Sequence, residues 1–409
     1  MRWLSVVYSM PPEIMKNPTE FMENWPISFR VASGSLNEQL LPRLEQSDAL
    51  LTRARALTGM QKEAIVQKGQ GGTCWRLLCD EGPWLNGTDL APFPLGYFAA
   101  GVAACFMSDI LAQARARGIP LATLHLRIDH FFTMEGSILK GTMAAAVDPI
   151  RLTVSAGGGV DDAELETIVA SALKMRSAAH HTLSTQLPSR FALSVNGQPV
   201  EWPGNATERL PGVADPAPIF ERLEPAGQAD LSEAIIRKDE ASSVSGGGAV
   251  GLHSEQKRTV HIHSESHLRA DGLREIAVQC MTPPGSRFVF LSDDVTDTGS
   301  QGRAPCGLTY LSAGVAFCFM TQLGRYAGIA GKRLASYRVV QDTHFSLGGA
   351  GLAAAVETHV FLETSADDGF ARRLLDMGEQ TCFLHALCRT DLAVEVRVDR
   401  LRALGAAAG

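Results

Sequence analysis

The sequence predicts an α+β protein built from two similar halves. Residues 101–107 read GVAACFM, and residues 314–320 read GVAFCFM, so two segments far apart in the chain agree at six of seven positions. A self-match between distant segments indicates tandem duplication. In both halves the strand-like segments are grouped and are followed by helices, which favours α+β over an alternating parallel βαβ array. We therefore expect two copies, each with a buried cysteine-bearing helix packed on an antiparallel sheet.

The length and the local composition predict how the two copies are divided. A chain of 409 residues fits two or three domains. We expect an N-terminal extension at 1–70, containing a strand and an amphipathic helix, and a first copy at 71–196. A stretch rich in proline, glycine and serine at 197–251, including the glycine run at 246–248, is typical of a linker. The second copy then occupies 252–409.

Net charge and apolar content exclude several classes of partner. The formal charge of −7 gives no electrostatic basis for binding nucleic acid or an anionic membrane surface. The apolar part of each repeated helix is about 14 residues, short of the 18 or more that a membrane span needs, and the N-terminal apolar segment is too short for a signal peptide. We expect a cytoplasmic protein. Eight cysteines in a reducing compartment favour buried or reactive thiols over structural disulfides.

The first half follows from local periodicity and turn residues. Leucines and alanines at helical spacing predict an amphipathic helix from Ser47 to about residue 67, with Ser47 as its N-cap. Proline opens the central helix and a basic Gly-Ile turn closes it. Alternating apolar residues predict the strands. The predicted elements are a strand at 27–36, the helix at 47–67, a hairpin at 73–78 and 83–85, the central helix at 94–117, strands at 121–132, 137–146 and 150–155, a helix at 161–183 and a strand at 191–195.

The second half repeats this order after the linker. Alternating apolar residues again predict the strands, and an aspartate pair opens the last helix in each half. The predicted elements are strands at 258–268, 275–280 and 286–292, the central helix at 306–327, strands at 334–345 and 353–362, a helix at 367–388 and a strand at 392–398.

This order of elements, together with an Ala-Cys-Phe segment in a buried helix (Ala104, Cys105, Phe106), resembles the OsmC/Ohr family. The family is named for osmotically inducible protein C and organic hydroperoxide resistance protein. The resemblance covers about residues 75–190 and 270–400. Its members are usually intertwined homodimers with two sites at the interface, so the resemblance implies an intramolecular pseudo-dimer of two tandem OsmC-like domains.

The resemblance also assigns roles by position. Cys318 matches the cysteine that attacks the peroxide, and Cys382 matches the resolving cysteine. In the first copy Cys105 matches the attacking cysteine. When His180 is placed on His385, Ser177 stands opposite Cys382, so the first copy lacks the second thiol.

Three features depart from the family pattern. Phe383 occupies the place of the proline that follows the second cysteine. Leu95 and Leu308 stand where the peroxidases have an acidic residue about ten positions before the first cysteine. The activating arginine of the N-terminal hairpin has several candidates, which are Arg30, Arg258, Arg269 and Arg274.

The chemistry of thiols limits what Cys318 can do alone. Only the thiolate is nucleophilic, and an apolar surrounding disfavours it. Cys318 lies mid-helix between Phe317 and Phe319, so its reactivity requires an arginine or a histidine from elsewhere. Taken singly, Cys105 and Cys318 are typical of small buried apolar residues. His385 follows Cys382 by three residues on one helix face and could orient or deprotonate a thiol, although His180 repeats that position without the cysteine.

These observations lead to one principal function. We expect a thiol-dependent peroxidase that reduces organic hydroperoxides through a sulfenic acid on Cys318 and a disulfide with Cys382, with a degenerate first copy. The reaction requires no cofactor. Its partners would be a small apolar hydroperoxide and a dithiol reductant of the lipoyl or thioredoxin type.

An alternative keeps the fold without the redox cycle. The pocket between the copies would bind or transform a small apolar molecule, with a transition metal as a further possibility. His261, His263, Glu265 and His267 occupy alternate positions of a predicted strand, so they share one face and offer metal ligands. The competing interpretation of this cluster is the solvated face of an edge strand.

Overall fold

The computed structural model describes residues 26–32, 49–69, 73–157, 159–201, 210, 212–226, 233–242, 256–294, 302–344 and 356–399. The glycine run at 246–248 and parts of the predicted strands at 27–36, 334–345 and 353–362 lie outside these residues. The strands are β1 Ser28–Arg30, β2 Ala49–Ala56, β3 Lys62–Lys68, β4 Cys74–Cys79, β5 Thr123–Gly136, β6 Ala144–Val147, β7 Ile150–Gly157, β8 Ser189–Val195, β9 Gln198–Val200, β10 Ile236–Glu240, β11 Gln256–Leu268, β12 Arg274–Thr282, β13 Arg287–Ser292, β14 Leu334–His344, β15 Val356–Thr364 and β16 Val394–Val398.

The structure confirms the two predicted central helices and splits each of the two later predicted helices into two. The α-helices are α1 Pro94–Ala116, α2 Asp162–Arg176, α3 Ala178–Leu183, α4 Ala217–Phe220, α5 Gly307–Ile329, α6 Asp368–Thr381 and α7 Phe383–Cys388. The predicted helices at 161–183 and 367–388 are each interrupted, because Ser177 and Cys382 adopt extended backbone conformations between two helical segments.

Each of the two sheets combines strands from both halves of the chain. The first sheet has the order β1-β4-β3-β2-β14-β15-β8-β9, and the second has the order β10-β13-β12-β11-β5-β7-β16, with β6 paired to β5. The joints between halves are the antiparallel pairs β2–β14 and β5–β11 and the parallel pairs β8–β15 and β7–β16. The result is a mixed α+β protein with largely antiparallel sheets, in which each described sheet needs strands from both halves.

The prediction of an amphipathic helix from Ser47 to about residue 67 is wrong. Residues 49–56 and 62–68 form β2 and β3 at the middle of the first sheet. Helix-forming alanine, leucine, lysine and glutamate dominate the segment, but strand pairing on both sides overrides that preference. Nearly every residue of these strands is buried, so the two-residue alternation that reveals a half-buried strand is absent.

The region predicted as a linker contains regular elements. Its described residues contain β9, α4 and β10, and β10 pairs with β13. Phe220 and Leu223 pack on Ile65 and Cys74, and so cover the outer face of the first sheet. The predicted second arm of a hairpin at 83–85 is a short 3₁₀ helix instead, since proline fixes a turn-like backbone there.

The central helices cross at the glycine of the repeated segment. A Cβ atom on Gly101 would lie 2.6 Å from the backbone nitrogen of Leu311, and one on Gly314 would lie 2.7 Å from that of Phe98. Phe98 and Leu311 are themselves matching positions, since each precedes the glycine of its own helix by three residues. The glycine recurs because both helix backbones approach too closely for any side chain at that point.

Each central helix packs on a sheet that combines strands from both halves. α5 lies on β2, β3, β4 and β14, and α1 lies on β11, β12, β13 and β5. Among the described residues, α1 is long and apolar enough by length and composition to cross a membrane. Its apolar part is therefore longer than the sequence analysis predicted. However, 83% of its most apolar window is buried inside the protein, as in a core helix.

Candidate functional site

A cavity of about 360 Å³ lies where the two halves meet. Its lining is largely apolar and comes from the turn after β4, from the start of α1, from β11 and β12, and from α5. The apolar lining includes Trp84, Leu85, Phe93, Met134, Val260 and Phe383. Such a space favours a small apolar ligand and positions it by the few polar groups that interrupt the wall.

Cys318 lines this cavity from the middle of α5. Only 2% of its surface is exposed, so reagents can approach the thiol only through the cavity. The buried position follows from a helix that is apolar on every side and enclosed by a sheet, α1 and α6. Cys318 is therefore the thiol that a molecule in the cavity would meet.

Two guanidinium groups share the cavity with Cys318. Arg258 comes from β11, and Arg325 lies seven residues after Cys318 on α5. Burial and the neighbouring Arg258 lower the pKa of Arg325 to about 10, whereas Glu81 and Cys318 raise it. Arg325 thus remains a cation at neutral pH and interacts favourably with a thiolate on Cys318.

A carboxylate from the other half completes the polar part of the wall. Glu81 follows β4 and accepts a hydrogen bond of 2.6 Å from the hydroxyl of Thr321, one turn after Cys318. Burial raises the pKa of Glu81, while Lys62 and the Thr321 hydroxyl act in the opposite direction. This carboxyl group stands in the site although Leu308 and Leu95 occupy the positions at which the family pattern has an acidic residue.

Cys382 lies behind Cys318, at the break between α6 and α7. Its thiol is close enough to interact electrostatically with the Cys318 thiol, and it has no exposed surface. Burial raises the pKa of Cys382 well above its usual range, and Cys318 raises it further. The two thiols that the sequence paired are therefore neighbours, with Cys382 held as the neutral partner.

His385 contacts the second thiol of this pair. Its Nδ1 lies 3.2 Å from Cys382 Sγ, and its ring packs against Phe191 and Phe319. Burial lowers the pKa of His385 to about 3, so the imidazole is neutral. A neutral ring nitrogen can accept the Cys382 proton or donate to its sulfur, which is the orienting contact that the spacing predicted.

Sequence reasoning missed Glu81 and Arg325. Arg325 had a readable signal, because Cys318, Gln322 and Arg325 follow the i, i+4, i+7 spacing of one helix face. The family pattern pointed to the N-terminal hairpin instead. Glu81 had no such signal, since it reaches the cavity through strand pairing that combines the two halves.

The candidate arginines fall in different places. Arg258 lines the cavity, whereas Arg30 is exposed on β1. Arg269 forms surface ion pairs with Glu233 and Asp271. Arg274 is buried, and its electrostatic neighbours include Cys105 rather than Cys318.

Cys105 has more acidic surroundings than its counterpart. Burial raises the pKa of Cys105 well above its usual range, and Asp109, Cys306 and Asp294 raise it further, with Lys68 opposing them. Asp109 and Ala112 occupy the positions of α1 that match Gln322 and Arg325 in α5. The helix that supplies a cation to Cys318 therefore has a counterpart that supplies an anion to Cys105.

The position that matches Cys382 carries a hydroxyl in the first half. Ser177 opens α3, and its side chain accepts a hydrogen bond of 3.1 Å from the backbone N–H of His180. Cys382 opens α7 at the corresponding break, three residues before His385.

The remaining cysteines are free thiols, and one of them reaches the cavity. Cys280 lines the cavity from β12, and burial raises its pKa to about 12. Cys388 is fully buried in α7, with a pKa that burial raises to about 12. Cys74 and Cys79 are buried in β4.

The histidine cluster of β11 lies on the opposite face of its strand from the cavity. Ile262 lines the cavity, so His261 and His263 point to the outer face of the second sheet. Both rings contact Asp129 of β5, which the sequence did not include in the cluster. His267 stacks on His125 instead. The interpretation of β11 as an edge strand is wrong, because it lies between β12 and β5.

Comparison with known proteins gives a partial match. A family model described as OsmC-like protein matches residues 87–191, about a quarter of the chain, including α1 and Cys105. No curated protein matches the chain. A solved structure titled as an OsmC-like hydroperoxide resistance protein from Jannaschia sp. CCS1 is 18% identical, covering 30% of this chain and 81% of that chain, with a TM-score of 0.18.

Proposed function

We propose that this protein is a thiol-dependent peroxidase that reduces organic hydroperoxides at Cys318, with Cys382 as the resolving thiol. One observation carries the proposal. Cys318 lines an apolar cavity beside two guanidinium groups, and the buried thiol of Cys382 interacts with it electrostatically. The OsmC-like match over residues 87–191 supports peroxidase-type chemistry at the level of the family.

The same proposal includes the organisation of the chain as two tandem OsmC-like copies in an intramolecular pseudo-dimer. The matched region lies in the first half only. Support for the second copy comes from repeated contacts: the Tyr97 hydroxyl donates to the Leu78 carbonyl, and at the matching positions of the second half the Tyr310 hydroxyl donates to the Leu291 carbonyl. The exchange of strands between the two sheets is the arrangement expected of an intertwined dimer joined into one chain.

The first step is attack by the Cys318 thiolate on the terminal oxygen of the hydroperoxide. The O–O bond breaks, the alkoxide leaves as an alcohol after taking a proton, and Cys318 becomes a sulfenic acid. Arg258 and Arg325 stabilise the thiolate and the negative charge on the leaving oxygen. The apolar wall selects an organic substrate over water-soluble hydrogen peroxide.

The second step forms a disulfide and releases water. The Cys382 sulfur attacks the sulfenic sulfur of Cys318, its proton is transferred, and the hydroxyl leaves as water. The proton goes to the leaving hydroxyl, and His385 Nδ1 orients the thiol through its contact with the Cys382 sulfur. An external dithiol, of the lipoyl or thioredoxin type, then reduces the disulfide and is itself oxidised. The cycle requires no bound cofactor.

The disulfide is the product that tests the proposal most directly. Reduced protein treated with one equivalent of cumene hydroperoxide and digested should yield a peptide pair joined through Cys318 and Cys382, detected by mass spectrometry. The Cys318→Ser variant should consume no hydroperoxide above background with dihydrolipoamide as reductant. Equal consumption by the wild type and this variant would exclude the proposal.

A second candidate uses the same cavity for binding alone. The large apolar share of its lining favours retention of a small apolar molecule without redox chemistry. An environment-sensitive apolar dye measures this directly. Dye binding that is equal in the wild type and in Cys318→Ser, combined with no disulfide after peroxide treatment, would support the binding function over the peroxidase.

A further inference from the structure

We propose that Asp129, His261 and His263 form a binding site for a divalent transition-metal ion of the zinc type on the outer face of the second sheet. The site is separate from the cavity of Cys318, because Ile262 lies between the two histidines in sequence and points to the other face of β11. It joins the halves of the chain at the β5–β11 pair.

The three side chains already converge on one point. His261 Nε2 lies 2.7 Å and His263 Nδ1 lies 2.8 Å from the same carboxylate oxygen of Asp129. The three ligand atoms all lie within 4.8 Å of one another. Ligands on a tetrahedral zinc ion are about 3.3 Å apart, so a shift of roughly half an ångström would admit the ion.

The surroundings of the three ligands fix them in this arrangement. His263 directs its other nitrogen, Nε2, to the Glu265 carboxylate at 3.5 Å, the outer contact that orients metal-binding imidazoles. His261 stacks on Phe131 with ring centroids 4.6 Å apart. Two imidazoles and one carboxylate suit zinc and related ions. The side chains are only partly buried, which leaves further coordination positions open to solvent.

The corresponding place on the first sheet lacks the histidines. Asp342 stands opposite Leu51 in β2, as Asp129 stands opposite His263 in β11, and Ala49 precedes Leu51 by two residues. Leu51 and Ala49 pack against Val213, which precedes α4 in the chain. Pairing of the two halves therefore does not require histidine, and its presence on the second sheet points to a ligand.

Metal binding to tag-free protein tests the site. Protein dialysed against EDTA and then against metal-free buffer is titrated with Co²⁺ alone, followed by visible absorption, and then with Zn²⁺ as competitor. One Co²⁺ per chain should bind and be displaced by Zn²⁺. Asp129→Asn and His263→Gln should each weaken binding by at least about 100-fold, and Glu265→Gln by about tenfold.

The chain provides a matched control. His267 lies on the same strand and face and stacks on His125 instead of joining the three ligands, so His267→Gln should leave the affinity unchanged. Far-ultraviolet circular dichroism verifies that each variant folds. Absence of Co²⁺ binding by the wild type, or equal binding by Asp129→Asn, would overturn the site. Cys318→Ser should bind Co²⁺ as the wild type does, so failure of the peroxidase proposal leaves this result intact.

Discussion

Cys318 and Cys105 occupy matching places on two helices that cross each other, yet their surroundings oppose each other electrostatically. Arg258 and Arg325 face the cavity of Cys318, while Asp109 and Asp294 disfavour a thiolate on Cys105. The second thiol beside Cys318 is replaced at the matching position by Ser177. The comparison shows that two thiols buried at matching places receive opposite charges, and we expect this difference to set their reactivity.

Replacement of each thiol in turn should give the largest difference between the two halves. Cys318→Ser should lower hydroperoxide consumption by at least about 1,000-fold, because it removes the nucleophile itself. Cys105→Ser should stay within about twofold of the wild type. Both rates are measured with cumene hydroperoxide and dihydrolipoamide. Comparable losses in the two variants would show that the halves are chemically equivalent, contrary to the asymmetry described above.

Substitution of the two glycines at the helix crossing should have equal effects on stability, because the two halves pack alike there. Gly101→Ala and Gly314→Ala each force a Cβ atom into backbone at under 3 Å, and each should lower the free energy of unfolding by about 3 kcal/mol. Gly328→Ala in α5 is the matched control, because its Cβ meets open space, and it should raise stability by roughly 0.5 kcal/mol. Urea unfolding followed by circular dichroism measures all three. A large effect at only one of the crossing glycines would contradict equivalent packing.

Removal of the cation on the Cys318 helix should have a smaller, pH-dependent effect. A nearby positive charge favours the thiolate, so Arg325→Gln should slow Cys318 alkylation about tenfold at pH 7, with a smaller effect at higher pH. Peptide mass spectrometry with iodoacetamide at a series of pH values gives the profile. Lys257→Gln is the control, because Lys257 lies on the same cavity wall but pairs with Glu135 at the exposed surface. Equal slowing in both variants would indicate a general charge effect.

The sequence predicted those parts of the fold that depend on local periodicity. Both central helices, the later strands and the pairing of Cys382 with His385 follow from spacing along one element. The strands β2 and β3 were missed because packing on both faces removes the alternation that identifies a strand. Glu81 and Asp129 were missed because each reaches its site through a partner strand of the other half, a relation with no counterpart in local sequence.

Cys105 should become more reactive when α1 receives the residues that lie beside Cys318 on α5. In a Cys318→Ser background, Asp109→Gln with Ala112→Arg installs the charges found beside Cys318. It removes the carboxylate that, after burial, contributes most to the raised pKa of Cys105. Alkylation of Cys105 at pH 8 should rise about tenfold in the double variant and about threefold in Asp109→Gln alone. Asp162→Asn, in the first turn of α2, is the control and should leave the alkylation of Cys105 unchanged. If the double variant reacts no faster, burial alone keeps Cys105 protonated, and charge is not what separates the two thiols.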